Sequence, residues 1–134
     1  MTINGLLFGS AFFGELDNFI NYASDENVND KDFERLLIIA SGRDHFNIVQ
    51  YILNWTQIRA DVRNNEALVR AVDNGNLKMC QLLIEKDADP SARNYLPLGL
   101  AIKNEDQPMI DILKKSPKLK NFDIETFISN IQSN

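Results

Sequence analysis

A pair of apolar and small residues at helical spacing recurs about every thirty residues, and this recurrence limits the possible folds more than any other feature of the chain. Leu7-x-x-Ser10, Leu37-x-x-Ala40, Leu68-x-x-Ala71 and Leu98-x-x-Ala101 lie 30, 31 and 30 residues apart. A second set follows at constant offset: Leu16, Phe19 and Tyr22; Phe46, Val49 and Ile52; Leu77, Cys80 and Leu83; and, less completely, Ile110 and Leu113. Both sets have the i, i+3 spacing of one helix face. The period predicts a stack of units, each a short helix, a tight turn, a second helix and a polar loop, with loops over 25–32, 57–65 and 87–94. The small residues Ser10, Ala40, Ala71 and Ala101 let neighbouring helices approach closely, and Leu83 falls at the most repeated core position.

Turn chemistry agrees with this layout. Gly14 and Gly75 stand just past the first helices, where a residue of positive φ is needed, and Asp44 tolerates that conformation. Glu105 is a poor fit there, but Asp106 and Pro108 supply a cap and an early-helix proline for the helix that follows. Ser116-Pro117 ends the last repeat helix. Asp123 can then cap a final helix with Ile124, Phe127, Ile128 and Ile131 on one face, a half-repeat that closes the open end of the stack.

Composition removes most alternatives. With 134 residues, 44% hydrophobic and 25% charged, the chain has the length and make-up of one globular domain. One Cys and one His leave no disulfide and no zinc ligand set. A net charge of -5 argues against a general nucleic-acid binder. The acids cluster early: Glu15, Asp17, Asp25, Glu26, Asp30, Asp32 and Glu34 face Lys31 alone. That stretch reads either as a solvated edge or as a patch that steers a basic partner. Asp25, Asn27 and Asn29 have calcium-loop spacing, but Asp30 occupies the turn position and Leu36 the bidentate one, so no calcium loop is expected. Residues 3–13 resemble the apolar core of a signal peptide but lack a basic start and a cleavage site, so they read as the first helix, and no stretch has the length of a membrane span. Asn54-Trp55-Thr56 is read as a chance sequon, and Cys80 as a buried small hydrophobe. Lys114, Lys115, Lys118 and Lys120 read as cations near a helix C-terminus, with a phosphate, membrane or import-receptor contact as the alternative.

At the level of whole units the sequence resembles the ankyrin repeat. Residues Glu66 to Pro90 are similar throughout to the pattern T-P-L-H-x-A-A-x-x-G-H-L-x-x-V-x-x-L-L-x-x-G-A-D, and Leu96-Pro97-Leu98-Gly99-Leu100-Ala101 keeps its opening. Unit two keeps Leu37, Ala40 and His45-Phe46-Asn47-Ile48-Val49, and unit one keeps Leu7, Gly14 and Leu16. The resemblance implies an all-α ankyrin-repeat solenoid of stacked helix-turn-helix units with a C-terminal capping helix. The repeats are expected over about 5–34, 35–64, 65–94 and 95–117, with the cap over about 121–132, all in one domain of residues 1–134. His45 falls on the Gly-His turn position, so a structural role is expected of it. The missing Thr-Pro in units one to three, Asp87 in place of Gly, and one extra residue between units two and three predict irregular loops. Asn-rich runs such as Ile58 to Leu68 look like ankyrin repeats of giant viruses and intracellular bacteria.

That resemblance implies a non-enzymatic module that binds another protein through its concave face and loop tips, as an adaptor or a host-directed effector. No catalytic set, phosphate loop or metal cluster is found, and neither cofactor nor metal is expected. The positions carried over are Phe12 and Phe13 in unit one, then Lys31, Asp32, Glu34 and Arg43 in unit two. Unit three contributes Arg63, Asn65, Asp73 and Asn74, and unit four contributes Arg93, Tyr95, Lys103 and Asn104. The expected partner is a protein, with no nucleic acid and no membrane insertion. A monomer is favoured over a homo-oligomer, in the cytoplasm, or in the host cytosol for a delivered effector. Two alternatives stay open: a self-associating structural piece, and an inhibitor that blocks another enzyme's active site. Phe12 and Phe13 are either exposed anchors or rings packed under residues 1–6.

Overall fold

A computed structural model of the chain describes residues 3–25 and 27–133. Four helix pairs follow one another: α1 (Ile3–Phe13) with α2 (Leu16–Ala23), α3 (Asp30–Gly42) with α4 (Phe46–Trp55), α5 (Val62–Asp73) with α6 (Leu77–Glu85), and α7 (Ala92–Lys103) with α8 (Gln107–Lys114). A single 3-10 turn (Pro117–Leu119) leads to α9 (Ile124–Gln132). The first helices pack in one row, α1 on α3 on α5 on α7 on α9, and α2, α4, α6 and α8 form a second row behind it. Among the described residues the chain is an all-α repeat solenoid, with no strand.

The small-residue landmarks explain why the first row packs. Ser10, Ala40, Ala71 and Ala101 are all buried, as are Leu7, Leu37, Leu68 and Leu98 beside them. The carbonyls of these four small residues also close the turn after each helix. They accept from the amides of Glu15 at 2.8 Å, His45 at 2.8 Å, Asn76 at 2.9 Å and Asp106 at 3.0 Å. This is the six-to-one bond of a Schellman motif, and it requires a left-handed residue just before the donor. Gly14, Asp44, Gly75 and Glu105 supply it, with φ of 76°, 63°, 73° and 55°. Glu105 therefore takes the expected turn conformation despite its side chain. Gly14 is needed on a second ground as well, because a Cβ there would lie 2.5 Å from His45 Nδ1. Behind the turns, Phe19, Ile48, Ile52, Met79, Leu83 and Leu113 fill the space between the rows.

The starts of the first helices differ between units. Helix α3 begins with a capping box in which the Asn29 side chain accepts from the Asp32 amide at 2.9 Å and Asp32 accepts from the Asn29 amide at 3.1 Å. In α5 and α7 the first turn is left-handed instead. Arg63, Asn64 and Asn65 have φ of 52°, 55° and 64°, and Arg93, Asn94 and Tyr95 have 54°, 57° and 65°. Asn accepts this conformation readily, whereas a residue such as Arg or Tyr pays about 1–2 kcal/mol for it. The α5 turn is held from outside. The Asn65 side-chain oxygen accepts from the Asp89 amide at 2.7 Å, and Arg93 donates to the carbonyls of Asn64 at 2.9 Å and Arg63 at 3.0 Å.

At the far end, Asp123 accepts from the Thr126 amide at 3.1 Å and so caps α9. No residue of α9 is fully buried, but Ile124, Phe127, Ile128 and Ile131 pack against the core. Tyr95 stacks on Phe122 with ring centroids 4.1 Å apart and lies 5.6 Å from the Phe127 ring, which joins the cap to unit four.

Leu83→Ala should cost about 2–5 kcal/mol in urea melts, since the side chain has no contact with solvent and its loss leaves a cavity between the rows. Glu105→Gly should act in the other direction. Relief of the left-handed strain, less the extra freedom of glycine in the unfolded chain, should add about 0.5–1 kcal/mol to stability in the same assay.

Candidate functional site

The turn between α1 and α2 carries the most exposed apolar pair of the first-helix face. Ser10 and Ala11 take the buried positions that Ala71 and Val72 hold in unit three, so Phe12 and Phe13 come to the positions of Asp73 and Asn74. The rings meet edge to face at 5.0 Å and are 41% and 70% exposed. Of the two placements open to them, the described residues adopt the exposed one. The Arg43 guanidinium lies 3.7 Å over the Phe12 ring, and its Nε donates to the Phe12 carbonyl at 3.1 Å. His45 Nε2 lies 2.7 Å from the same oxygen. Because a carbonyl can only accept, this places the imidazole proton on Nε2, and His45 serves as a tie between units one and two.

Further along the same face, Arg35, Ile38, Ile39, Arg63, Glu66, Arg70 and Arg93 line a cleft of about 320 Å³. Glu66 is its electrostatic centre, accepting from Arg70 Nε at 3.0 Å and from Arg93 Nη2. Arg63 Nε donates to Glu34 at 3.3 Å. Arg35 stands 4.8 Å over the Phe8 ring. Burial pushes the Glu66 carboxyl upward, but the two guanidinium donors outweigh it and hold the group below the ordinary glutamate range.

The remaining positions expected from the sequence are divided between surface and interior. Lys31, Asp73, Lys103 and Asn104 are exposed. Asn74 is exposed too, but its side chain donates to the Gly42 carbonyl at 2.8 Å, which repeats one unit on the bond Arg43 makes to Phe12. Asp32 belongs to the α3 capping box. One expectation needs correction: Asn65 is buried and its side chain holds the Asp89 amide, so it is not a free loop-tip group. Tyr95 is half-buried, with its ring stacked against the cap. Of the acidic stretch, Glu26 lies outside the described residues.

Sequence reasoning passed over Arg35, Arg70, Ile38 and Ile39. Their signal was present: Arg35 and Ile38 are three apart on α3, and Glu66 and Arg70 four apart on α5, so each pair shares a helix face. It also passed over Trp55, which is 76% exposed at the end of α4. Cys80 is buried, and burial, with smaller contributions from Asp106 and Asp44, pushes its thiol up to about 12. It is therefore a poor nucleophile. Among the described residues no group of three or more His, Cys, Asp or Glu side chains could hold a metal ion, and no helix is long and apolar enough to cross a membrane.

Residues 7–94 match the family model of ankyrin repeats, in three copies. No curated protein matches the chain at a significant level.

The ion pairs at Glu66 generate a pH prediction. A carboxyl held below its unfolded value stabilises the fold fully above the ordinary glutamate range, and that contribution is lost as pH falls through the folded value. The stability gap between the wild type and Glu66→Gln in urea melts should therefore be present at neutral pH and should close on acidification below about 4.

Proposed function

The chain belongs to the ankyrin-repeat family, and from that premise we propose that it is a non-enzymatic docking module that binds a partner protein across its first-helix face and the adjoining turns. Ankyrin repeats generally mediate protein–protein interaction. The observation that carries the reading for this chain is the exposed pair Phe12 and Phe13, at positions where units three and four have polar residues, with Arg43 beside them. Two adjacent solvated phenyl rings on a folded surface mark a place where apolar area can be removed from water on binding. Aromatic and arginine side chains are also the groups that most often dominate binding energy at interfaces. Around them, Lys31, Asp73, Lys103 and Asn104 are solvent-facing groups suited to a polar rim, and Asp32, Glu34 and Asn74 set the shape of the face through their bonds within it. We place the adaptor in the cytoplasm. A lone buried thiol and the lack, among the described residues, of any membrane-spanning helix support that placement.

A second reading has a specific observation in its favour. The same phenyl pair would suit contact with a second copy of the chain, in which case the protein would be a self-associating piece. Sedimentation across a concentration range separates the two, since only self-association makes the mass depend on concentration.

Phe12→Ser with Phe13→Ser should abolish or sharply reduce capture of the partner while lowering stability in urea melts by no more than about 1–2 kcal/mol, because Phe13 is 70% exposed and Phe12, 41% exposed, gives up mainly its contact with Arg43. Lost capture together with a large loss of stability would instead mark the rings as part of the core.

A further inference from the structure

We infer that the cleft on the first-helix face between units two and four binds an acidic peptide segment of a partner protein, one that presents carboxylates on either side of an apolar residue. The inference deepens the docking reading given above and rests on it. Its basis is an inversion of charge. The chain carries a net charge of -5, with six arginines in all. Four of them, Arg35, Arg63, Arg70 and Arg93, line this one cleft. Against them stand Glu66 inside the cleft and Glu34 at its edge, so two positive charges remain uncompensated on an otherwise acidic molecule.

The cleft already holds the chemical group it would select. Glu66 lies between Arg70 and Arg93, and Glu34 meets Arg63, so the guanidinium groups are spaced and oriented to take carboxylate oxygens. Arg70 and Arg63 each use Nε for these bonds and remain about half exposed, at 49% and 47%. Each keeps its terminal NH2 donors for an incoming anion. Arg35 is exposed, and its guanidinium carbon stands 4.8 Å from the centroid of the Phe8 ring, a cation–π contact at the side of the cleft. Arg93 is anchored to the carbonyls of Asn64 and Arg63 and needs no ordering on binding. Between the arginines lies the half-buried Ile39, with Ile38 buried beside it, a small apolar spot that a bare phosphate or a purely ionic ligand would leave wet. A peptide with an aliphatic residue flanked by Asp and Glu would cover it.

The test is fluorescence anisotropy with a labelled decapeptide of Asp and Glu carrying one central Leu, beside the matching Asn and Gln peptide. The acidic peptide should bind at least tenfold more tightly than the neutral one. Arg35→Gln with Arg70→Gln should weaken it at least fivefold while the chain stays fully folded at the assay temperature, its melting point lowered only by the loss of the Arg70–Glu66 pair and the Arg35–Phe8 contact. Arg59→Gln with Lys114→Gln removes the same charge outside the cleft and should leave affinity within twofold. Replacing the central Leu by Ser should weaken binding to the wild type. Equal affinity for the two peptides would overturn the proposal, as would an equal loss in the control variant or tighter binding of a single-stranded oligonucleotide through the same arginines. A partner protein whose capture needs Phe12 and Phe13 but survives the double arginine replacement would overturn the acidic occupant and leave the docking reading standing.

Discussion

Every helix pair in this chain has an apolar flank that only the next pair can cover, and the structure depends on meeting that need unit by unit. The closeness of the fit is set by four small residues. With Ser10, Ala40, Ala71 and Ala101 buried in the first row, the helix backbones come near enough for Leu7, Leu37, Leu68 and Leu98 to interlock. The same residues have a second duty, since their carbonyls end each helix and fix where the chain reverses. A larger side chain at any of them would disturb packing and reversal together. Unit four is followed by α9, which covers it with Phe127, Ile128 and Ile131, and the stacked rings of Tyr95 and Phe122 join the cover to the stack.

Polar side chains reinforce this stacking by reaching back about one unit. Arg43 bonds to the Phe12 carbonyl, Asn74 to that of Gly42, Arg93 to those of Arg63 and Asn64, and Lys118 to that of Asp87. Each donor meets a carbonyl at a helix end or in a left-handed turn, where intrahelical partners run out. Turn irregularity and surface charge are therefore linked in this molecule. The left-handed starts of α5 and α7 turn carbonyls outward, and in α5 the arginine of the following unit satisfies them. The candidate site on the first-helix face is built from some of the same side chains, so its shape is set by the seams between units.

Much of this was legible in the sequence, because the features concerned are local and periodic. The landmark spacing gave the helix pairs, Asp106 and Asp123 announced their caps, and Ser10 and Ala11 put Phe12 and Phe13 in register with Asp73 and Asn74. What escaped was non-local. Asn65 looks like a loop-tip residue until the Asp89 amide, twenty-four positions away, is seen to need its oxygen. Tyr95 has the composition of an interface anchor, yet Phe122 reaches it first. The arginine cleft went unread for a related reason. Arg35, Arg63, Arg70 and Arg93 come from three units and are unremarkable singly, and only stacking brings them around Ile38 and Ile39. Overall net charge, which argued against a general nucleic-acid binder, is a sum that conceals such segregation.

The position of Trp55 has an optical consequence. The chain has one tryptophan, and it lies 76% exposed at the end of α4, in the second of the four helix pairs. Its indole is already hydrated in the folded state, so unfolding changes its surroundings little and its emission is a weak reporter. It is also remote from the cap, so α9 could leave the stack without altering that signal. The Trp55 ring lies 6.5 Å from that of Tyr51, while the closer aromatic contacts within the core and cap are in the Tyr95, Phe122 and Phe127 cluster and between Phe19 and Tyr51. Near-ultraviolet circular dichroism from tyrosine and phenylalanine therefore sees the end of this stack to which tryptophan fluorescence is blind.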